Sequence, residues 1–284
     1  MNRAEIALAL VSLVWGATFV LVKNALADIS TVLFLGLRFG LAALILGAVY
    51  RARGGRITRK GVGAGILVGS LLYSGYLLQT FGLKYTSPAT SGFITGLYVP
   101  MVPMLSAAIY RRPPGVSEWM GVTLAAIGMS LLTLQSAHLR IGIGELLTLG
   151  CAFAFAWHML ALAHYSRKLG TDWLAFIQIA SCAVIGLSSF ALVEPVVLRW
   201  TPAVILALGV TSIFATALAF WIQTWGQART TATRAAVIFA LEPVFAWLTS
   251  WLLEGEILTG RAVAGATCIL VGILLVELKP IRLS

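Results

Sequence analysis

Three ionisable side chains fall deep inside apolar stretches of the chain: Arg38, His158 and Glu242. In a membrane such groups are costly unless they line a cavity or find a partner, which makes each a candidate for chemistry. A neutral His158 can hydrogen-bond a substrate carboxylate or amine, or it can pack as a satisfied core histidine. Glu242 precedes Pro243, which removes a backbone hydrogen bond. Its carboxyl therefore serves either as a cap beside freed carbonyls or as a carrier of exchanging protons. Arg38 can snorkel or pair with backbone, and is read as structural.

The neutral polar residues follow helical spacing. Tyr73, Tyr76 and Thr80 share a face with Gln79 beside it, and Ser91, Thr95 and Tyr98 share another. Phe220, Gln223 and Thr224 repeat the Tyr76, Gln79 and Thr80 pattern. Because lipid offers hydroxyls and amides no partner, these faces should point inward. Trp15 and Trp157 sit near the middle of apolar runs, where an indole either stacks on a flat apolar group and donates one hydrogen bond or packs. Trp119, Trp173 and Trp200, at run ends, read as interfacial anchors.

The candidate substrate site is thus Trp15, Tyr73, Tyr76, Gln79, Thr80, Thr95, Tyr98, Trp157, His158, Gln223 and Glu242. There is no Walker A loop, HExxH, GxSxG or carboxylate pair at one depth, so the expectation is a protein that is not an enzyme. Cys151, Cys182 and Cys268 lie in apolar runs without metal-ligand spacing and read as small buried hydrophobes. No cofactor and no metal are expected.

Positioning such groups falls to helices in a bilayer. Of 284 residues, 60% are hydrophobic and only 11% charged, against roughly 25% charged in a soluble domain. At about 20 apolar residues per crossing, ten crossings use roughly 200 residues and leave only short connections. Breaks rich in Gly, Pro and charge set candidate spans at about 4–23, 31–50, 61–83, 90–110, 117–135, 144–165, 172–193, 202–225, 234–253 and 261–278. Lys and Arg outnumber Asp and Glu by 20 to 10, but they edge apolar runs, so orientation rather than nucleic-acid binding explains them. Arg51, Arg53, Arg56, Arg59 and Lys60 form the densest loop, and placing it inside puts both termini in the cytoplasm. The stretch after Arg3 imitates a signal peptide, but its apolar run exceeds the roughly 7–15 residues of a signal core and is read as retained.

The chain also matches itself at an offset of 144 residues. Leu78-Gln79-Thr80-Phe81-Gly82 meets Ile222-Gln223-Thr224-Trp225-Gly226, and the register continues through Thr86 with Thr230, Ile94 with Ile238, Leu97 with Leu241, Gly121 with Gly265 and Gly128 with Gly272. Upstream the offset slips, with Glu5 against Glu145 and Trp15 against Trp157. Each half, 1–137 and 138–284, then holds five spans; an odd number forces the second half to enter from the opposite side, giving an inverted repeat. The predicted fold is all-α, an integral membrane protein of ten transmembrane helices in two inverted five-helix repeats. Its central cavity lies between the first, third and fourth helices and the sixth, eighth and ninth. Gly36xxxGly40, Gly61xxxGly65, Gly65xxxGly69 and Gly92xxxGly96 read as close helix contacts, and Pro100, Pro103 and Pro243 as bending points.

Val14-Trp15-Gly16, Leu37-Arg38-Phe39, Leu241-Glu242-Pro243-Val244 and Leu253-Glu254-Gly255-Glu256 together resemble the EamA-type members of the drug/metabolite transporter superfamily, over the whole chain. Within it the chain looks most like the YddG-type exporters of aromatic amino acids. One element departs: Tyr110-Arg111-Arg112-Pro113-Pro114 stands where the family commonly repeats its small-Gly-Glu-Arg element. The resemblance implies alternating access in a cytoplasmic (inner) membrane, taken as bacterial. Its partners would be a small-molecule substrate and the lipid bilayer, with no nucleic acid and no obligate protein partner. Two substrate classes fit: amino acids with aromatic or bulky apolar side chains, or aromatic cations exported against protons through Glu242. A scaffold that carries nothing is the third reading.

Overall fold

Asn2 opens the first helix. Its side chain accepts from the backbone of Ala4 and Glu5 while Glu5 reaches back to the Asn2 amide at 2.7 Å, a reciprocal cap that starts α1 (Arg3–Ala25) at once. The protein is described from a computed structural model covering residues 2–53, 58–86, 88–111, 114–133, 142–245, 248 and 259–277. After α1 follow α2 (Thr31–Arg53), α3 (Arg59–Tyr85), α4 (Pro88–Gly96), α5 (Tyr98–Tyr110) and α6 (Val116–Thr133). Then come α7 (Ile143–Lys168), α8 (Thr171–Val193), α9 (Pro202–Ser212), a π-helical stretch (Ile213–Leu218), α10 (Ala219–Gln227), α11 (Ala232–Phe239) and α12 (Gly260–Glu277). Among the described residues the only β pairing is an isolated bridge between Ile29 and Leu198.

Seven of these segments are long and apolar enough to cross a membrane: Arg3–Ala25, Thr31–Arg51, Arg59–Tyr85, Thr90–Tyr110, Ile143–Lys168, Thr171–Val193 and Pro202–Gln227. Val116–Leu131 and Gly260–Val276 are shorter apolar helices. Large apolar side chains such as Leu44 and Val184 are exposed on the outer faces, as a lipid solvent requires. The Leu253–Glu256 element, the 54–57 loop, Arg112 with Pro113, the 137/138 repeat boundary and most of the ninth candidate span beyond Phe245 lie outside the described residues.

Two candidate spans are broken, each four residues before a proline. α4 ends at Gly96, four before Pro100, and α11 ends at Phe239, four before Pro243. A proline has no N–H for the carbonyl four residues back, and its ring crowds that carbonyl, so the helix stops there. Each chain then makes one tight turn, Leu97 N to Ile94 O at 3.1 Å and Leu241 N to Ile238 O at 3.0 Å, and helix resumes. The 144-residue offset relates the two turns, Leu97 with Leu241 and Ile94 with Ile238, while the helix ends and the prolines behind them are 143 apart. α5 ends in turn at Arg111, whose φ of 52° is left-handed, ahead of prolines that cannot continue a helix.

Helices meet where side chains are smallest. α2 crosses α8 at Gly36 and Gly186, where a Cβ on Gly186 would lie 2.8 Å from Gly36 Cα. α6 pairs with α12 through crossed contacts, Gly121 against the Gly272 carbonyl and Gly128 against that of Gly265. Each glycine thus faces the offset partner of the other. Gly65 and Gly69 likewise seat α3 against α8, whereas Gly92 meets nothing within 4 Å and Gly61 meets only its own cap, Thr58. The second half of the Gly92xxxGly96 expectation survives only at Gly96, against Met129. α3 also packs along α7, and α1 along α9 and α10, so these five elements surround a common centre.

Candidate functional site

That centre holds a cavity with about 760 Å³ of empty space, its opening to the outside included. α3 supplies Leu72, Tyr76, Gln79, Thr80 and Leu83, one stripe at intervals of three and four, as a single helix face must. α1 supplies Trp15, Thr18 and Val22, and α7 supplies Phe155, His158 and Met159. Thr95 and Tyr98 flank the break between α4 and α5; Phe239 and Glu242 flank the matching break after α11. Phe220 and Gln223 enter from α10 and Arg38 from α2.

Nine of the eleven expected residues therefore meet in one cavity. Tyr73 and Trp157 do not. Tyr73 follows Leu72 by one position, about 100° further round the helix. That turns it into the α2–α8 seam, with its ring 3.3 Å from where a Gly186 Cβ would stand. Trp157 lies roughly 200° round α7 from Phe155, and packs edge-on to Phe153, which is 51% exposed. The residue that does on α7 what Trp15 does on α1 is Phe155. Trp15 lies 5.5 Å from Phe220, and Phe155 lies 5.4 Å from Tyr76, the residue matching Phe220 at the 144 offset. The sequence alignment of Trp15 with Trp157 missed this by two residues, because an offset that slips cannot be counted from identities alone.

The polar groups are only partly committed. Gln79 Nε2 donates to Thr95 Oγ1 at 3.2 Å, joining α3 to α4, and Thr80 donates to its own helix at Tyr76 O. Gln223, the counterpart of Gln79, shares the cavity wall with Phe239, which stands at the offset position of Thr95, and its buried Oε1 has no partner among the described residues. Trp15 donates its indole proton to Ala215 O at 2.9 Å, so this proton is used within the protein. Ala215 lies in the π-helical stretch, where the ladder shifts by one residue and leaves carbonyls for outside donors.

His158 joins a directional chain. Gln178 Nε2 donates to Thr224 Oγ1 at 2.9 Å, and Thr224 donates to Phe220 O at 2.6 Å. Gln178 Oε1 is then an acceptor, so His158 Nε2 donates to it at 3.0 Å. The chain ties α7, α8 and α10 together at the cavity wall. Sequence reasoning took Thr224 as a cavity group; the structure uses it here.

Arg38 was read as structural, and the structure gives it a double position. Its Nε donates to Thr216 Oγ1 at 2.7 Å and its Nη2 to Ala215 O at 3.3 Å and Tyr76 Oη at 3.4 Å, bracing the π-helical stretch. It also lines the cavity, with its guanidinium 4.7 Å from the centre of the Tyr76 ring. Its depth within α2 was the available signal.

The EamA-like transporter family model matches this chain twice, over residues 2–134 and 142–278. The chain belongs to the EamA-like transporter family. Like other members it is a multi-pass membrane protein, and the family is one of transporters rather than enzymes. An uncharacterized transporter of Archaeoglobus fulgidus is 36% identical over 277 residues, covering 97% of this chain and 86% of that protein. A Salmonella typhimurium protein named "Probable amino-acid metabolite efflux pump" is 26% identical over 292 residues, covering 96% of this chain and 94% of its own. A solved crystal structure shares the fold with a TM-score of 0.81 over 98% of both chains, at 19% identity.

Proposed function

We propose that this EamA-family transporter exports amino acids, above all those with aromatic or bulky apolar side chains, by alternating access through the central cavity. The observation that carries this reading is the wall chemistry. Trp15, Phe155, Phe220 and Phe239 offer apolar rings, while Gln79, Thr95, Tyr98 and Gln223 offer neutral polar groups at the same centre. A phosphate-bearing cargo calls for several cations, and Arg38 is the one cation of the lining among the described residues. The amino-acid efflux names of relatives near 26% identity, in Salmonella typhimurium and Escherichia coli, point the same way.

The transport machinery in this reading is two inverted five-helix repeats, 1–137 and 138–284, giving ten spans with both termini in the cytoplasm of the cell whose inner membrane holds it. The double family match, the paired helix breaks and the crossed glycine contacts of α6 and α12 support the repeat. The Arg51–Lys60 charge supports the orientation. A cysteine placed at Gly55 should react only with a probe that crosses the membrane.

A second reading, export of aromatic cations against protons, has Glu242 in its favour, since this carboxyl faces the rings of the same cavity. Radiolabelled flux into proteoliposomes decides between them. Phenylalanine flux without flux of an aromatic cation supports the first reading and the reverse supports the second. Flux that ignores an imposed pH gradient removes proton coupling.

A further inference from the structure

Two ionisable side chains face the cavity, one basic and one acidic and one from each half of the chain: Arg38 on α2 and Glu242 at the restart of helix after α11. Neither has a counter-ion among the described residues. Arg38 is 4% exposed and bonds only neutral groups, a threonine hydroxyl, a tyrosine hydroxyl and a carbonyl, through Nε and Nη2. Its Nη1 carries no hydrogen bond among the described residues. The Glu242 carboxyl carries none either, and it shares the cavity wall with the unpartnered Oε1 of Gln223.

A buried ionisable group is costly to hold charged without a partner, and neither Arg38 nor Glu242 has an oppositely charged one among the described residues. A cargo with its own opposed charges relieves both. The geometry points to Arg38 and Glu242 as the two ends of a zwitterion site, in which Arg38 Nη1 takes a cargo carboxylate and Glu242, with Gln223 Oε1, takes a cargo ammonium. This deepens the transport reading above and rests on it. Arg38 suits the first task because Nε and Nη2 are held and its plane lies on the Tyr76 ring, so the free edge is preset. In an amino acid both charges sit on one carbon, and the rings of Trp15, Phe155, Phe220 and Phe239 line the cavity for the side chain that branches from it.

Three related probes test it: phenylalanine, phenethylamine, which lacks the carboxylate, and 3-phenylpropanoate, which lacks the ammonium. Each competes with radiolabelled phenylalanine for wild-type protein in proteoliposomes. Wild type should prefer phenylalanine to either analogue by at least tenfold, since a site built to bond a charged group rejects a ligand without it. In Arg38→Gln the preference over phenethylamine should collapse to about twofold while that over 3-phenylpropanoate stays. Glu242→Gln should do the reverse. Each ratio is read within one variant, so lower yield does not move it. If Arg38→Gln does not fold because the π-helical stretch loses its brace, Glu242→Gln, which breaks no hydrogen bond among the described residues, carries the test alone. Ratios that stay at wild-type values in both variants, or that fall together in each, overturn the assignment and leave amino-acid transport standing. Wild-type protein that carries neither phenylalanine nor leucine overturns the transport reading itself, and this proposal with it.

Discussion

Thr86 donates its hydroxyl proton to Glu145 Oε1 at 2.5 Å, tying the end of α3 to the first turn of α7. The same bond recurs between their repeat counterparts, Thr230 at the 144-residue offset and Glu5 where the offset has slipped to 140, with Thr230 donating to Glu5 Oε1 at 3.4 Å and tying the end of α10 to the first turn of α1. Each threonine carbonyl also receives a basic side chain from the far end of the other long helix: Lys23 to Thr86 O at 3.2 Å, and Arg167 to Thr230 O at 2.8 Å. The match is incomplete in one respect. Arg234 pairs with Glu5 at 3.2 Å, with both side chains buried, whereas the 144-residue offset puts an uncharged residue, Thr90, at the position corresponding to Arg234.

That asymmetry should be measurable. Arg234→Met leaves Glu5 buried without its cation, and removing one member of a buried pair costs about 3–5 kcal/mol. Thr86→Val removes a hydroxyl bond at the other clasp, a loss of about 1 kcal/mol. The thermal midpoint in detergent should therefore fall several times further for R234M than for T86V. Equal shifts would show that the ion pair adds nothing to its clasp.

Cavity and lipid faces of α7 should separate cleanly in transport. Phe155→Ala and Trp15→Ala remove wall rings and should raise the KM for phenylalanine at least tenfold, in line with the roughly 3–5 kcal/mol lost when a buried aromatic is truncated, partly shared with stability. Trp157→Ala alters only the outer face and should leave KM within about twofold. Radiolabelled uptake into proteoliposomes measures all three, and a Trp157 variant as damaged as Phe155→Ala would place the substrate elsewhere.

The crossed glycines make a packing prediction. A Cβ at Gly128 would stand 2.5 Å from the Gly265 carbonyl oxygen, a backbone atom that cannot swing aside. Gly128→Val should therefore separate α6 from α12 and abolish a monodisperse peak in size-exclusion chromatography. Gly92, in α4 with open space around it, should accept Ala and gain up to about 1 kcal/mol of helix propensity.

The His158 chain predicts a defect of structure rather than of charge recognition. Gln178→Leu strands the His158 N–H and removes the acceptor and donor that join α7, α8 and α10. It should cost about 1–3 kcal/mol of stability. The ratio of phenylalanine to phenethylamine transport should stay at its wild-type value, since neither charged end of the cavity is touched.

Local chemistry was legible in the residues themselves. Helix breaks follow from Pro100 and Pro243, because a missing N–H acts four residues back whatever the surroundings. The inward stripe of Tyr76, Gln79 and Thr80 follows from spacing and from the absence of partners in lipid. What only the tertiary structure decided is direction. In a soluble helix the polar side announces the surface. Here both lipid and core are apolar, so Trp157 and Phe155, two residues apart, look equally buried in sequence, yet one faces outward and the other lines the cavity. Arg38 was placed by the same kind of fact: its guanidinium reaches a π-helical stretch 178 positions away, and a contact at that separation is set by how α2 crosses its neighbours, not by any pattern along the chain.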